Sequence, residues 1–195
     1  MVKNMTKQYL DLDSDSPDGW PGEGWDGREF SRCNQQELLR VMNTIKPKAI
    51  LEIGVSRLST NRYENTSTSV FLYSKTPDCI YIGVDVEDKS FLTGENVYTL
   101  QTDSANIEEV IDFSKSKGVT GFDVIFLDGW HSINQVMKEW NYRHHLNLGG
   151  VIGLHDTNRH PGPKYLLEQI DGNWRVEKCC LLDWGITFLY ANNQP

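Results

Sequence analysis

The chain contains no apolar run approaching ~20 residues, so nothing in it reads as a membrane-spanning helix. Its first residues, MVKNMTKQYLDLDSDS, lack the apolar core of a secretory signal. Together these absences predict a cytoplasmic protein with no membrane partner. Basic residues are outnumbered, with 19 Lys and Arg against 27 Asp and Glu and a net charge of −8. A large nucleic-acid footprint needs basic surface to neutralise phosphates, so nucleic acid is not an expected partner. An acidic balance suits a cationic ligand or a metal ion, although it is commonest as a solubility feature. Cysteines are few, and the four present (Cys33, Cys79, Cys179 and Cys180) show no zinc-type spacing. Cys179 and Cys180 are adjacent in an apparent strand and would point to opposite faces, which predicts reduced, packed thiols. Glycine is scarce where a dinucleotide-binding turn would need it. Residues 54–69 contain one glycine, so a G-x-G-x-x-G oxidoreductase ranks low. No repeat or low-complexity tract stands out.

What is present is enough for one domain with a substantial core, over 195 residues with 38% hydrophobic and 24% charged content. Residues 1–33 include DLDSDSPDGWPGEGWDG and read as an irregular arm or lid, with Trp20 and Trp25 either pinning it to the core or covering a ligand. From residue 34 to 195 the pattern is that of one folded domain. A helix opens at Asn34 and ends before Pro47. Strands and helices then alternate. Strands are expected over 49–55, 79–86, 96–103, 122–128 and 150–156, and helices over 66–75, 105–117, 132–146 and 163–170. RVEKCCLL and GITFLYA close the chain, joined by Asp183-Trp184-Gly185 as a hairpin. Alternation ending in a hairpin predicts a three-layer α-β-α sandwich around a mostly parallel sheet, with an antiparallel strand at the C-terminal end.

The chemistry gathers where strands stop. Val124-Ile125-Phe126-Leu127 reads as a strand buried on both faces, and it ends at Asp128 with Trp130 and His131 close behind. GVIGLHD ends at His155-Asp156, followed by Thr157. Ligands of open α/β sheets sit outside the carboxyl ends of the strands, so two acids there define one polar site. LEIGV puts Glu52 and Gly54 at the end of the first strand, where a glycine permits a sharp turn or only a plain one. GVDVED ends the second strand with Asp85, placed to hold ribose hydroxyls or to be a solvated loop acid. Asp103-Ser104 ends the third strand, beside an adenine or as a helix cap. His155 faces either the sheet's flank or the acceptor. His160 lines the acceptor pocket or sits in a surface loop.

LEIGV, GVDVED, TDS, FDVIFLDGWHS and GGVIGLHDTN stand in the order and spacing of class I S-adenosylmethionine-dependent methyltransferases. Residues 35–191 resemble that family, and most closely its small O-methyltransferase-like branch. The resemblance implies a Rossmann-like fold with a seven-stranded sheet. It implies S-adenosyl-L-methionine as cofactor, with Glu52 and Gly54 near its methionine part and Asp85 on its ribose. Asp103 and Ser104 would flank the adenine, and Trp130 would cover its face. Asp128 and Asp156 match the acids that bind Mg²⁺ in catechol O-methyltransferase-like enzymes, and Thr157 stands where those enzymes carry an asparagine ligand. His131 stands where they carry the catalytic lysine. An imidazole is a reasonable general base for a hydroxyl, with Asp128 beside it.

The departure from the family is the loop after Gly54, VSRLSTNRYENTSTSV, which is lengthened and holds Arg57 and Arg62. Residues 56–65 are long and polar with little to bury, so mobility without ligand is expected. Thr66, Ser67 and Thr68 would start the next helix and offer hydroxyls to the cofactor carboxylate. The implied reaction is methyl transfer to a hydroxyl oxygen of a small molecule or sugar. An inactive or non-enzymatic binding protein of the same fold, or a metal-dependent hydrolase built on the same acids, are the rival readings. A homodimer is compatible with all three.

Overall fold

A computed structural model describes residues 12–13, 32–55 and 66–192. Most of the expected arm, with Trp20 and Trp25, and all of the 56–65 loop lie outside the described residues. The element order is α1 (Arg32–Ile45), β1 (Ala49–Ile53), α2 (Ser67–Ser74), β2 (Ile80–Asp85), β3 (Val97–Gln101), α3 (Ile107–Ser116), β4 (Phe122–Leu127), α4 (Ile133–Glu139), β5 (Leu146–His155), α5 (Pro161–Gln169), β6 (Trp174–Cys179) and β7 (Ile186–Ala191). The expected helix over 132–146 is α4 followed by a 3-10 segment, Trp140–His145.

The sheet has seven strands in the order β3-β2-β1-β4-β5-β7-β6. β1 to β5 are mutually parallel, and β7 runs antiparallel between β5 and β6. Period-two alternation sends β-strand side chains to opposite layers. Leu51, Ile53, Ile125, Leu127, Ile152 and Leu154 face one helical layer with Val110 of α3, Val136 of α4 and Leu166 of α5. Ile50, Tyr81, Val124, Phe126 and Phe188 face the other, with Leu38, Val41 and Met42 of α1 and Phe71 of α2. The mostly parallel sheet is covered on both faces, which is why its central strands are apolar on both sides.

The β1–β4–β5 order positions the site. The crossover after β1 sends β2 and β3 one way, and β4 onward go the other. The carboxyl ends of β1 and β4 therefore flank the point where strand order reverses, the usual ligand crevice of such a sheet.

The cysteines correct an expectation. Cys33 and Cys180 form a disulfide across a separation of 147 residues, while Cys79 and Cys179 are free. The first turn of α1 packs beside the end of β6, and that proximity is tertiary. No local spacing announces it. No described helix is long and apolar enough to cross a membrane.

Candidate active site at the carboxyl ends of β1, β2, β4 and β5

Gly54 makes the tight turn out of β1. Its φ is +79°, and a Cβ there would lie 2.1 Å from the carbonyl oxygen of Asp128. Both the left-handed backbone and the contact with the β4 loop require glycine. Its N–H donates to the Val84 carbonyl at 2.9 Å, which fastens the turn to β2. The Asp85 carboxylate accepts the Val55 N–H at 3.0 Å and the Glu87 N–H at 2.8 Å. Burial raises its pKa, with these two backbone donors and Lys89 opposing. A carboxylate has about four lone-pair sites, so Asp85 keeps acceptor capacity for a ligand's hydroxyls.

Glu52, which the resemblance places beneath the methionine part, is an internal anchor. It is fully buried and accepts from the hydroxyls of Ser67 (2.5 Å), Thr68 (2.9 Å) and Tyr81. Ser67 and Thr68 are buried too, so their hydroxyls are turned inward on Glu52 instead of toward the crevice. Thr66 caps α2 in a reciprocal capping box with Ser69. The result is an anchor that ties β1, β2 and the first turn of α2 together. Burial pushes the Glu52 carboxyl up to about 8 against the pull of its three hydroxyl donors.

Beyond β3, Asp103 accepts the Ala105 N–H and a Gln135 amide hydrogen, which hold its carboxyl below the ordinary range. Asp103 is exposed, so a ligand can reach it. Ser104 is buried and donates to Glu139 at 2.5 Å. Gln135 bridges Asp103, Ser104 and Glu139. Tyr81, Gln135 and Glu139 were not foreseen as parts of the site's support. A carboxyl-bearing residue three after Val136 on an amphipathic helix was the available signal. Trp130 is 57% exposed and its indole N–H donates to the Asp13 carbonyl at 3.0 Å. Asn134 bonds Leu12 and Asp13, so this described part of the arm seats on the start of α4 beside Trp130.

The densest chemistry is at the ends of β4 and β5. The parallel register pairs Leu127 with Leu154, so the next residues in each strand, Asp128 and His155, are lateral neighbours. Their side chains meet, His155 Nδ1 to Asp128 Oδ1, at 2.7 Å. His155 therefore faces the acids. Asp156 lies one residue further, at φ +56°, and its carboxylate comes back to 3.2 Å from the same Nδ1. His131 lies between the acids, 3.7 Å from Asp128 and 3.9 Å from Asp156. His160 Nε2 is 3.4 Å from Asp156, and its ring stacks on Trp184. One ligand atom from each of Asp128, His131, His155 and Asp156 lies within 4.8 Å of the others.

Burial lowers the affinity of His155 for a proton, but Asp128 and Asp156 outweigh it and hold its pKa up at about 9. His155 Nε2 meets the Asn34 amide at 2.9 Å, and an amide offers either a donor or an acceptor there. Thr157 is buried, and its hydroxyl receives that of Thr187 at 3.0 Å. Two carboxylates suit Mg²⁺, which prefers oxygen, while imidazoles suit later divalent metals better. The donor set thus fits a divalent cation on Asp128 and Asp156, with histidines beside them where a purely oxygen cage would have more oxygens.

No protein-family model matches the sequence, and no curated protein matches it. Solved structures do share the fold. MycE methyltransferase from the mycinamycin biosynthetic pathway, in complex with Mg and SAH, superposes with a TM-score of 0.63 at 17% identity, covering 88% of this chain and 51% of that one. The chain thus spans about half the length of MycE. The O-methyltransferase TomG from Streptomyces achromogenes, involved in tomaymycin synthesis and in complex with SAM, gives 0.61 at 14% identity, covering 84% and 81%. SAH-bound methyltransferase PaMTH1 from Podospora anserina gives 0.59 at 14%, covering 88% and 84%. The architecture is that of the class I S-adenosylmethionine-dependent methyltransferases.

Proposed function

We propose that the protein transfers a methyl group from S-adenosylmethionine to a hydroxyl oxygen of a small molecule. The observation that carries this reading is a pair of adjoining half-sites at one end of the sheet. The Gly54 turn and Asp85 form one half, and the acid–imidazole cluster of Asp128, His131, His155 and Asp156 forms the other. The fold is shared with proteins bound to SAM or SAH, and MycE has been seen with Mg, SAH and mycinamycin VI together. In this reading Gly54 lets the backbone approach the methionine part, Asp85 holds the ribose, and Asp103 with Ser104 borders the adenine. Glu52, Ser67 and Thr68 serve by holding that turn.

The second half-site would align and deprotonate the acceptor. Positioning of the acceptor oxygen in line with the methyl group supplies much of the rate. His131 takes the hydroxyl proton, and Asp128 and Asp156 on either side stabilise the imidazolium that results. His155, itself held by Asn34, keeps Asp128 in place. A divalent cation bound by Asp128 and Asp156 would add a lower pKa for the acceptor hydroxyl. The Cys33–Cys180 bond fits an oxidising setting better than the cytoplasm expected from the sequence.

The test is titration calorimetry with S-adenosylhomocysteine. Wild type should bind, and Asp85→Ala should weaken binding by about 1–3 kcal/mol, the cost of hydrogen bonds to a charged group. Wild type that does not bind, or an Asp85→Ala protein with intact fold and unchanged affinity, defeats the reading.

A further inference from the structure

A cavity begins at Thr157, the residue directly after Asp156 of the acid–imidazole cluster. Its volume is about 640 Å³, within the ~300–1,000 Å³ typical of small-molecule sites. Three segments build it. The loop after β5 contributes Thr157 and Arg159, immediately beyond Asp156. Helix α5 contributes Lys164 and Leu167, and the end of β6 with its following turn contributes Lys178, Leu181 and Leu182. β6 is antiparallel to β7, and β7 is antiparallel to β5, so β6 ends at the same edge of the sheet as Asp156. Lys178 pairs in register with Thr187, which pairs with Leu154, so its side chain belongs to the α5 layer.

The chemistry of this cavity runs against that of the whole chain. The protein carries a net charge of −8, yet three cations line this one space. Two acids also line it. Asp183 turns its carboxylate onto its own neighbour, the Trp184 N–H, at 2.8 Å, and Glu168 lies at the exposed end of α5. The apolar contribution is aliphatic, and Leu181 and Leu182 are 67% and 102% exposed, an unusual pair for an unoccupied surface. The turn that carries them is held firmly. Asn158 donates to the carbonyls of Cys180 and Asp183, and its own N–H donates to Trp184. Gly185, at φ +90°, leaves no room for a Cβ against the Asn158 amide. The rim is therefore preformed, which lowers the ordering cost of binding.

We infer that this cavity is the acceptor subsite, and that it takes an amphipathic anion: a hydroxyl-bearing molecule with an apolar body and one carboxylate or comparable anionic group. The hydroxyl would lie at the acid–imidazole cluster, the body against Leu167, Leu181 and Leu182, and the anion between Arg159 and Lys178. The assignment as acceptor subsite rests on the methyl-transfer reading. The preference for an anion rests on the cavity alone.

The experiment compares 4-hydroxycinnamate with its uncharged methyl ester, by calorimetry on the full chain, with S-adenosylhomocysteine affinity measured separately. Wild type should bind the acid at least about ten-fold more tightly than the ester, the scale of a charge-assisted contact. Arg159→Gln combined with Lys178→Gln should remove that preference and leave both the melting temperature and S-adenosylhomocysteine affinity unchanged. Arg159→Lys combined with Lys178→Arg should keep it. Equal binding of acid and ester, binding of neither, or a preference that survives the double glutamine variant each overturns the inference. Failure to bind S-adenosylhomocysteine while the acid preference persists overturns the methyl-transfer reading and leaves the anion site standing.

Discussion

Glu139 shows how much a single buried acid matters here. It is 1% exposed, with the Ser104 hydroxyl and a Gln135 amide hydrogen on one oxygen. Burial pushes its carboxyl up to about 7, against the opposing pull of those donors. The folded chain therefore holds this proton more tightly than the unfolded chain, whose carboxyl titrates at its ordinary value of ~4.3. Stability from this group is fully present below that value and falls as pH rises, until the whole loss is reached above about pH 7. Glu139→Gln mimics the neutral acid and keeps an oxygen for Ser104 and Gln135. It should flatten the fall between pH 5 and pH 8, and at pH 8 exceed wild type by on the order of a few kcal/mol. Urea unfolding at the two pH values checks this, and parallel behaviour of both proteins would show that Glu139 ionises freely in the fold.

At this same scale, parts of the site were legible and parts were not. Asp85, Asp103, Asp128 and His131 all lie at carboxyl ends, because an apolar run that stops at an acid marks a strand end in any sequence. The direction of His155, left open by the sequence, is settled by the register, which lays Val-Ile-Phe-Leu-Asp beside Val-Ile-Gly-Leu-His. Aligning those runs, as the sheet does, sets aspartate beside histidine. Ser67, Thr68 and Glu52 were harder to read. Hydroxyls at a helix start serve a ligand or a buried acid equally well, and only the packing of Tyr81 beside Glu52 decides.

At the scale of elements, the central strands β1, β2 and β4 were legible because both faces are buried, and helices such as α1 and α3 because their apolar faces recur at helical spacing. The break of the fourth helix into α4 and a 3-10 segment was not, since His144 and His145 at its end are compatible with either. Nor was the disulfide. It joins the first turn of α1 to the turn after β6, and both ends bear on the site. Asn34 beside Cys33 touches His155, and Asn158 holds the Cys180 carbonyl. Closing a loop of 147 residues restricts the unfolded chain strongly. Cys33→Ser should lower stability by about 2–4 kcal/mol, read as a smaller urea midpoint under non-reducing conditions. A dithiol reductant should then leave Cys33→Ser unaffected while lowering wild type to meet it. A wild type indifferent to reductant would mean that the bond contributes nothing to folding.

At the scale of the molecule, the two half-sites belong to opposite wings of one sheet. Gly54 and Asp85 lie on β1 and β2, and Asp128 and Asp156 end β4 and β5. Among the described residues, the β1–β4 pairing, the Gly54–Asp128 contact and the bonds of Gln135 and Glu139 to Asp103 and Ser104 join the wings near the crevice. A cofactor lying across that seam binds the native chain and not the unfolded one, so it stabilises by mass action, about 2.7 kcal/mol at a hundred times its dissociation constant. For a chain of this size that corresponds to roughly 5–10 °C in melting temperature. A divalent ion held by Asp128 and Asp156 would touch the β4–β5 wing. A protonated His155 offsets one of the two carboxylate charges there, so an ion that takes up its imidazole must displace a proton. S-adenosylhomocysteine alone should therefore raise the melting temperature by that amount in the presence of chelator. Mn²⁺ or Mg²⁺ alone should raise it little at neutral pH. The ion's effect should vanish in Asp128→Asn, whereas the effect of S-adenosylhomocysteine should survive. A shift with S-adenosylhomocysteine that requires metal would show that the two half-sites are one.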